Sequence, residues 1–209
     1  MQPLPPDELV RWCQRTLPDD TRAFEALVSQ YKVRVFATTY RLLGDYHEAE
    51  DAAQEVFVRV YRGIKSLDEP ATFSSWIYRI ATNICFDLLA KRRRAPGAVS
   101  LTPDDRQDGE LPYADDKAPS LEENMLTQEL RRCLEDTLRA LEPEGRAVLV
   151  LRDVEGRSYQ EIAETLTVGL SAVKMRIHRA RLAFQRLFDT ICPGLRGADR
   201  SDRPRDALT

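Results

Sequence analysis

Glycine, histidine and long apolar runs are all scarce in this sequence of 209 residues. With only nine glycines and short β-branched runs, the stretches rich in Ala, Leu, Glu and Arg favour a mostly helical chain. No apolar run approaches membrane-spanning length, and the N-terminus MQPLPPDELVRW lacks the apolar core of a signal peptide. The sequence therefore predicts a cytoplasmic protein without direct membrane insertion.

Four cysteines are present, but none forms a CxxC pair or lies near a cluster of histidines. Zinc sites and redox pairs depend on such spacing, and cytosolic proteins keep most thiols reduced. The sequence therefore predicts no metal, no cofactor and four reduced thiols. These are Cys13, Cys85, Cys133 and Cys192.

The charge is nearly balanced, with a formal net charge of −3. This balance argues against a protein that coats nucleic acid, but it permits local basic patches. A chain of this length that is 43% hydrophobic can form one domain or two small ones, each with its own core.

Four helical patterns with short connections occupy the first half of the chain. A short helix over residues 7–16 is followed by a second helix, capped by Asp19 or Asp20 and ended by Gly44. The third pattern is HEAEDAAQEVFVRVYRGI, and the fourth is FSSWIYRIATNICFDLLAKRRR. Together they predict a compact α domain over residues 7–94.

The second half differs in texture. Residues 95–119 mix Pro, Gly, Asp and Ser with an excess of acids, which is typical of a flexible acidic linker. Helical patterns resume at residue 120 with the capping box SLEE and continue to about residue 190. The tail over residues 191–209 is predicted to be disordered.

Near its end, the second domain has the spacing of a helix-turn-helix. The short helix EIAETL, a four-residue break and the basic helix SAVKMRIHRARLAFQRLF follow one another. No acid occurs from Ser171 to Gln185, and a face of one charge opposite an apolar stripe fits a phosphate-lined groove. Ser171 is the predicted N-cap, and a surface helix that is merely basic is the alternative.

Two helices of the first domain show unusual outward faces. In the third helix, Val58 lies on a charged face, which indicates either a protein partner or a singly exposed valine. In the fourth helix, aromatic residues stand beside Arg79 and Asn83, a combination that suits single-stranded nucleic acid. Phe73 and Trp76 fit packing in the core or between domains as well.

Four stretches resemble the extracytoplasmic-function (ECF) group of bacterial sigma factors, in the order and spacing of that family. They are DAAQEVFVRVYR (51–62), FSSWIYRIATNICFDLLAKRRR (73–94), LRALEPEGRAVLVLRDVEGRSYQEIAETL (138–166) and SAVKMRIHRARLAF (171–184). With the surrounding helices they cover nearly all of residues 7–190. The resemblance implies an all-α fold in which sigma domain 2 and sigma domain 4 are joined by the linker.

The resemblance also assigns roles to particular residues. Those implied to dock on the β′ clamp helices of core RNA polymerase are Asp51, Gln54, Glu55, Val58 and Arg59. Those implied to capture the melted −10 element are Phe73, Ser74, Ser75, Trp76, Arg79, Asn83, Lys91, Arg92 and Arg93. Those implied to read the −35 element in duplex DNA are Arg152, Ser171, Lys174, Met175, His178 and Arg179. Domain 4 also contacts the β flap in this family.

The partners implied are core RNA polymerase, promoter DNA and an anti-sigma factor, which can hold such proteins at the membrane; no small-molecule substrate is implied.

Two positions depart from the family pattern. Thr167 stands where glycine is usual, and Gly169 stands where proline or serine is usual, which leaves the bend of the turn open.

Two other functions compete with this interpretation. A helix-turn-helix regulator independent of polymerase would need a ligand or phospho-acceptor site on an α/β scaffold, whereas the first half shows only helical periodicity. An all-α enzyme would need a catalytic constellation. His47 and His178 lie in separate predicted domains without one.

Overall fold

The computed structural model describes residues 4–94 and 121–197, and every regular element within these ranges is helical. The predicted linker over residues 95–119 and the predicted cap at residue 120 lie outside the described residues. The predicted fold class, two small helical domains, is confirmed.

Four helices form the N-terminal domain. They are α1 (Pro6–Thr16), α2 (Arg22–Leu43), α3 (Tyr46–Gly63) and α4 (Phe73–Arg94). Two short 3-10 turns, Ile64–Ser66 and Pro70–Thr72, join α3 to α4. The core is built from the inward faces of all four helices and includes Leu9, Leu27, Val35, Val56, Ile77 and Ala81.

The helix ends follow from local chemistry. The Asp20 carboxylate, rather than that of Asp19, accepts the backbone N–H of Arg22 at 3.0 Å at the start of α2. Gly44 ends this helix in the left-handed region at φ 76°, which costs glycine little. Asp45 then caps α3 by accepting the backbone N–H of Glu48 at 2.8 Å. Short, well-capped connections therefore set α2 and α3 side by side.

The C-terminal domain also consists of four helices. They are α5 (Leu121–Ala140), α6 (Pro143–Leu149), α7 (Tyr159–Leu166) and α8 (Leu170–Ile191). A π-helical turn, Val150–Val154, follows α6, and a 3-10 turn, Pro193–Gly197, follows α8. Buried residues of α6, the π-helical turn, α7 and α8 form its core, which is continuous with that of the N-terminal domain and includes Val148, Leu151, Ile162, Val173 and Ile177.

Two predicted boundaries around α8 are wrong. Gly169 occupies the N-cap position, so Ser171 lies inside the first turn instead of capping it. The chain also remains helical to Ile191 and turns through Pro193–Gly197, so residues 191–197 do not belong to a disordered tail. Cys192 is buried at 3% exposure and holds this segment against the domain. Helical periodicity in the sequence does not predict this burial.

The prediction of four reduced thiols is also wrong. Cys133 in α5 and Cys192 after α8 form a disulfide across 59 residues, with Cα atoms 6.0 Å apart. Helix packing, which sequence spacing does not report, brings these two residues together. Cys13 and Cys85 are free and buried, as predicted for structural thiols.

The two domains pack against one another, mainly through α4 with α7 and α2 with α5. Buried Arg146 of α6 contributes at this boundary by donating to the carbonyl of Leu42 in α2 and to those of Arg139 and Leu141 at the end of α5. Burial lowers the pKa of Arg146 to about 10, and neighbouring Arg139 acts in the same direction. Its guanidinium thus joins the C-terminal ends of two helices from different domains.

Candidate nucleic-acid and protein interfaces

The residues predicted to bind polymerase form one outward strip on α3. Asp51, Gln54, Val58 and Arg59 are exposed, and Glu55 is half-buried. Arg59 donates to the Glu55 carboxylate at 2.8 Å, one turn apart. The opposite face of the helix, from Ala49 to Val60, is buried. The helix therefore presents one apolar residue, Val58 at 40% exposure, surrounded by charged and polar side chains.

Tyr61 extends this strip, although its helical spacing predicts an inward position. It is 38% exposed, and its ring packs edge-on against Phe24 at a centroid distance of 5.1 Å. Val58 and Tyr61 are three residues apart and so are neighbours on the helix surface. Two exposed apolar side chains side by side are a stronger mark of a protein interface than Val58 alone.

On α4, the three residues Trp76, Arg79 and Asn83 follow helical spacing along one side. Arg79 and Asn83 are exposed, and Trp76 is half-buried. The Trp76 ring lies against Gly63 at the end of α3 and against Phe73 at a centroid distance of 6.0 Å. The helix thus offers an aromatic edge, a guanidinium and an amide along one strip, which suits contact with unpaired bases.

Two further aromatic residues of this stretch, Phe73 and Tyr78, are buried. Phe73 is 1% exposed and packs edge-on against Tyr31, so it supports the surface from beneath, and this structure leaves it no direct contact with DNA. Tyr78 is fully buried because the C-terminal domain covers it. Ser74 and Ser75 are half-buried, and the Ser74 hydroxyl is 3.3 Å from that of Tyr31.

The basic end of α4 is partly engaged within the protein. Arg92 is paired with Glu48 and donates to the carbonyl of Leu43 at 3.2 Å, so it closes the end of α2. Arg93 is paired with Glu142 of the C-terminal domain at 3.0 Å. Lys91 is exposed.

The helix-turn-helix has a well-defined frame. Ser158 and Glu161 form a capping box, with N–H···O distances of 3.1 and 2.8 Å. After α7, Thr167 adopts a left-handed conformation at φ 55°, and Val168 N–H donates to the Ala163 carbonyl at 3.0 Å. Threonine therefore adopts the left-handed conformation that glycine adopts readily, and the turn between α7 and α8 forms without a glycine at this position.

On α8, the predicted DNA-reading residues share the outer face. Ser171, Lys174, Met175, His178 and Arg179 are all exposed. Val173, Ile177 and Ala180 are buried beneath them and fix the orientation of this face. Arg181, farther along, is paired with Asp153 at 2.5 Å, which links α8 to the π-helical turn.

Arg152 lies on the π-helical turn and not on α8. Its guanidinium donates to the carbonyl of Arg157 at 2.7 Å and lies 4.7 Å from the ring centre of Tyr159. These contacts hold the start of α7 in place, so Arg152 has a structural role as well as a basic charge.

Within residues 4–94 and 121–197, no group of His, Cys, Asp or Glu side chains has the arrangement of a metal site. In the same ranges, no helix is long and apolar enough to cross a membrane.

Comparisons with known families match both domains. Residues 27–95 match Sigma-70 region 2, and residues 131–184 match Sigma-70, region 4. The first match includes the strips on α3 and α4, and the second includes the helix-turn-helix.

Several characterised proteins are similar over most of the chain. The ECF RNA polymerase sigma factor SigW of Bacillus subtilis is 36% identical over 176 residues, which is 80% of this chain and 89% of SigW. The ECF RNA polymerase sigma-E factor of Escherichia coli is 31% identical, with coverages of 81% and 88%. SigE of Mycolicibacterium smegmatis is 40% identical, and the match covers 76% of this chain but only 59% of that longer relative.

Two solved structures share the fold. CnrH, in complex with the cytosolic domain of CnrY, aligns with a TM-score of 0.64 at 24% identity, covering 88% of this chain and 97% of CnrH. The sigma factor RpoE of Bartonella quintana, in complex with the anti-sigma factor NepR, aligns with a TM-score of 0.58 at 19% identity, covering 79% and 96%.

Proposed function

Because the chain belongs to the extracytoplasmic-function group of the sigma-70 family, we propose that it directs core RNA polymerase to promoters by reading a −35 element with α8 and capturing a melted −10 strand with α4. As an alternative sigma factor it serves transcription initiation and is not an enzyme. The observation that carries the proposal is the presence of two separate exposed reading strips, one on each domain.

The −35 strip suits duplex DNA. Lys174 supplies positive charge for phosphates, while Arg179, on the same exposed face as Met175 and His178, can reach base edges. The buried stripe beneath prevents the helix from rotating, so these side chains enter the major groove in a fixed register.

The −10 strip suits unpaired bases. Asn83 can read the edge of a flipped base, Trp76 can stack on one, and Arg79 can hold the backbone. Lys91 and Arg93 extend the positive charge toward the end of α4, where Arg93 would exchange Glu142 for a phosphate. Melting then results from capture of the open strand, without bond chemistry by the protein.

Core polymerase is the proposed partner of the α3 strip, through the β′ clamp helices, and the C-terminal domain would contact the β flap. Val58 and Tyr61 provide the apolar centre of that strip, with Asp51, Gln54 and Arg59 around it. Because polymerase holds both domains, two individually weak DNA contacts act at high effective concentration.

An anti-sigma factor is the second proposed protein partner. Among the solved structures similar to this chain, RpoE is bound to an anti-sigma factor, and CnrH is bound to the cytosolic domain of CnrY. A partner of this kind would cover the polymerase-binding strip and keep the protein inactive.

Run-off transcription tests the proposal directly. Bacterial core polymerase is combined with this protein on a promoter library, and the transcripts are sequenced. We expect new start sites preceded by a shared two-part motif. Asn83→Ala should relax the −10 half only, and Arg179→Ala the −35 half only, by about 1–3 kcal/mol of discrimination each.

The controls separate the alternatives. Arg186→Ala removes an exposed charge from α8 outside the predicted reading set and should leave the motif unchanged. No new start sites, together with failure to bind core polymerase on a sizing column, would favour a regulator that binds DNA independently of polymerase.

A further inference from the structure

A cluster of polar side chains around Glu155 joins the two domains. Glu155 lies between the π-helical turn and α7. Its carboxylate accepts a hydrogen bond from the Tyr78 hydroxyl of α4 at 2.5 Å and another from the Thr38 hydroxyl of α2 at 3.1 Å. Tyr78 and Thr38 are both fully buried. A single carboxylate of the C-terminal domain therefore contacts two helices of the N-terminal domain.

Arg157 completes this cluster over the face of the Tyr78 ring. Its guanidinium lies 4.5 Å from the ring centre and is paired with Glu161 at 3.1 Å. Burial raises the pKa of the Tyr78 hydroxyl, and the nearby charge of Glu155 raises it further. The hydroxyl therefore keeps its proton and remains a donor to the carboxylate.

The cluster places the helix-turn-helix directly against α4, the helix that carries the −10 strip. Helix α7 packs on α4, and the Thr165 hydroxyl reaches the carbonyl of Ser75 at 3.5 Å. Ser75 belongs to the predicted −10 surface. The first helix of one DNA-reading unit thus covers part of the other.

This arrangement conflicts with reading both promoter elements together. Packed helices lie about 8–10 Å apart, so α8, which packs on α7, is within about 20 Å of α4. The −35 and −10 elements are roughly 25 base pairs apart, which is on the order of 85 Å along B-form DNA at about 3.4 Å per base pair. The two reading helices must therefore separate before both elements are bound.

We propose that the hydrogen bonds of Glu155 with Tyr78 and Thr38, here called the latch, form an autoinhibitory contact that holds the free protein closed until core polymerase pulls the domains apart. The inference rests on the proposed function. It concerns how that function is restrained before polymerase binds.

The chemistry of the latch suits a contact that must open. A carboxylate, two hydroxyls and a guanidinium are all readily hydrated, so exposing them costs less than exposing an apolar interface of similar size. The covalent connection also permits opening. The 26 residues between Arg94 and Leu121 can span at most about 90 Å.

The test uses the full chain and three variants. Glu155→Ala removes the shared acceptor, while Tyr78→Phe and Thr38→Val each delete one donor and keep the shape of the side chain. Glu129→Gln, on the exposed side of α5, is the matched control for loss of an acidic charge. Small-angle X-ray scattering measures the radius of gyration, and titration with core polymerase measures the apparent Kd.

Opening of the latch should appear in both measurements. We expect Glu155→Ala to raise the ratio of open to closed molecules by about ten- to a hundredfold and to increase the radius of gyration. The apparent Kd for core polymerase should fall by up to the same factor, because the closed fraction no longer competes with binding. Tyr78→Phe and Thr38→Val should show smaller changes in the same direction, and Glu129→Gln none.

A compact Glu155→Ala protein with unchanged apparent Kd would overturn the latch while leaving the proposed function intact. Absence of run-off transcription by the wild-type protein would instead count against the proposed function, and scattering would still report whether the latch closes the molecule. If circular dichroism shows that Glu155→Ala is unfolded, the two single-donor variants decide the outcome.

Discussion

The indole ring of Trp76 lies against Gly63 so closely that a β-carbon on that glycine would come within 3.1 Å of the ring atom Cζ2. The last residue of α3 therefore sets the position of an aromatic side chain on α4. This contact connects the polymerase-binding helix to the −10 strip, because both residues lie where the two helices meet.

Substituting Gly63→Ala should displace the Trp76 ring by a few tenths of an ångström and strain its side-chain torsions. We expect transcription from promoters with an intact −10 element to fall about two- to tenfold, equivalent to ~0.4–1.4 kcal/mol. Run-off assays at limiting protein measure this. The matched control is Gly145→Ala in α6, where an added β-carbon meets Ala180 at an ordinary 3.6 Å. Equal losses in both variants would contradict the prediction.

Replacing Thr167 with glycine should stabilise the protein. Holding a residue with a β-carbon in the left-handed region destabilises the folded protein by roughly 1–2 kcal/mol. Glycine removes this strain, but its greater conformational freedom in the unfolded chain offsets about 0.5–1 kcal/mol of the gain. The expected net gain in unfolding free energy is about 0.5–1 kcal/mol, measured by urea denaturation. Thr167→Ala retains the β-carbon and should not show the gain. A decrease in stability on Thr167→Gly would mean that the threonine side chain makes a compensating contact.

Reduction of the Cys133–Cys192 disulfide should lower stability by about 2–4 kcal/mol, because the bridge spans 59 residues. The melting temperature should fall by about 4–16 °C on adding reductant. Cys192→Ser should have the melting temperature of the reduced wild-type protein and show no further response to reductant.

Burial raises the pKa of Cys13 to about 11 and that of Cys85 to about 12, so alkylation of the folded protein at pH 8 should leave both unmodified.

The capping box of α7 should make the helix-turn-helix sensitive to acid. Burial acts to raise the pKa of Glu161, but hydrogen bonds from Ser158 and Arg157 outweigh it and hold the pKa below its ordinary value. A carboxylate with a lowered folded pKa stabilises the protein above the ordinary value of about 4.5, and this contribution is lost as the pH falls through the folded pKa.

Glu161→Gln keeps the shape of the cap and removes the charge, so it tests this directly. Wild type should be the more stable protein in thermal melts at pH 7, and the difference should shrink as the pH is lowered below about 4.5. A difference that persists unchanged at low pH would show that the charge of the Glu161 carboxylate is not its cause.

Much of the architecture could be predicted from sequence. The stripe on α3, the capping box at Ser158 and the glycine that ends α2 are local patterns, and the structure reproduces each of them. The exposed positions of Lys174, Arg179, Asn83 and Val58 also follow from helical periodicity. Whether those exposed residues bind DNA and polymerase remains a prediction.

Other features could not be predicted because they depend on contacts between distant segments. Tyr61 has inward spacing, yet it packs on Phe24 with its edge exposed. Tyr78 belongs to an aromatic stretch with an outward character, yet the C-terminal domain buries it. In both cases the neighbour that determines exposure lies far away along the chain.

The sequence by itself determined the helices, their capped ends and the apolar stripe of each helix, because these depend on residues within a few positions of one another. The tertiary structure decided the pairing of Cys133 with Cys192, the burial of Phe73 and Tyr78, and the meeting of Glu155 with Tyr78 across 77 residues. Such contacts arise from the packing of whole helices, whose relative placement depends on the shapes of both surfaces and leaves no local pattern in either segment.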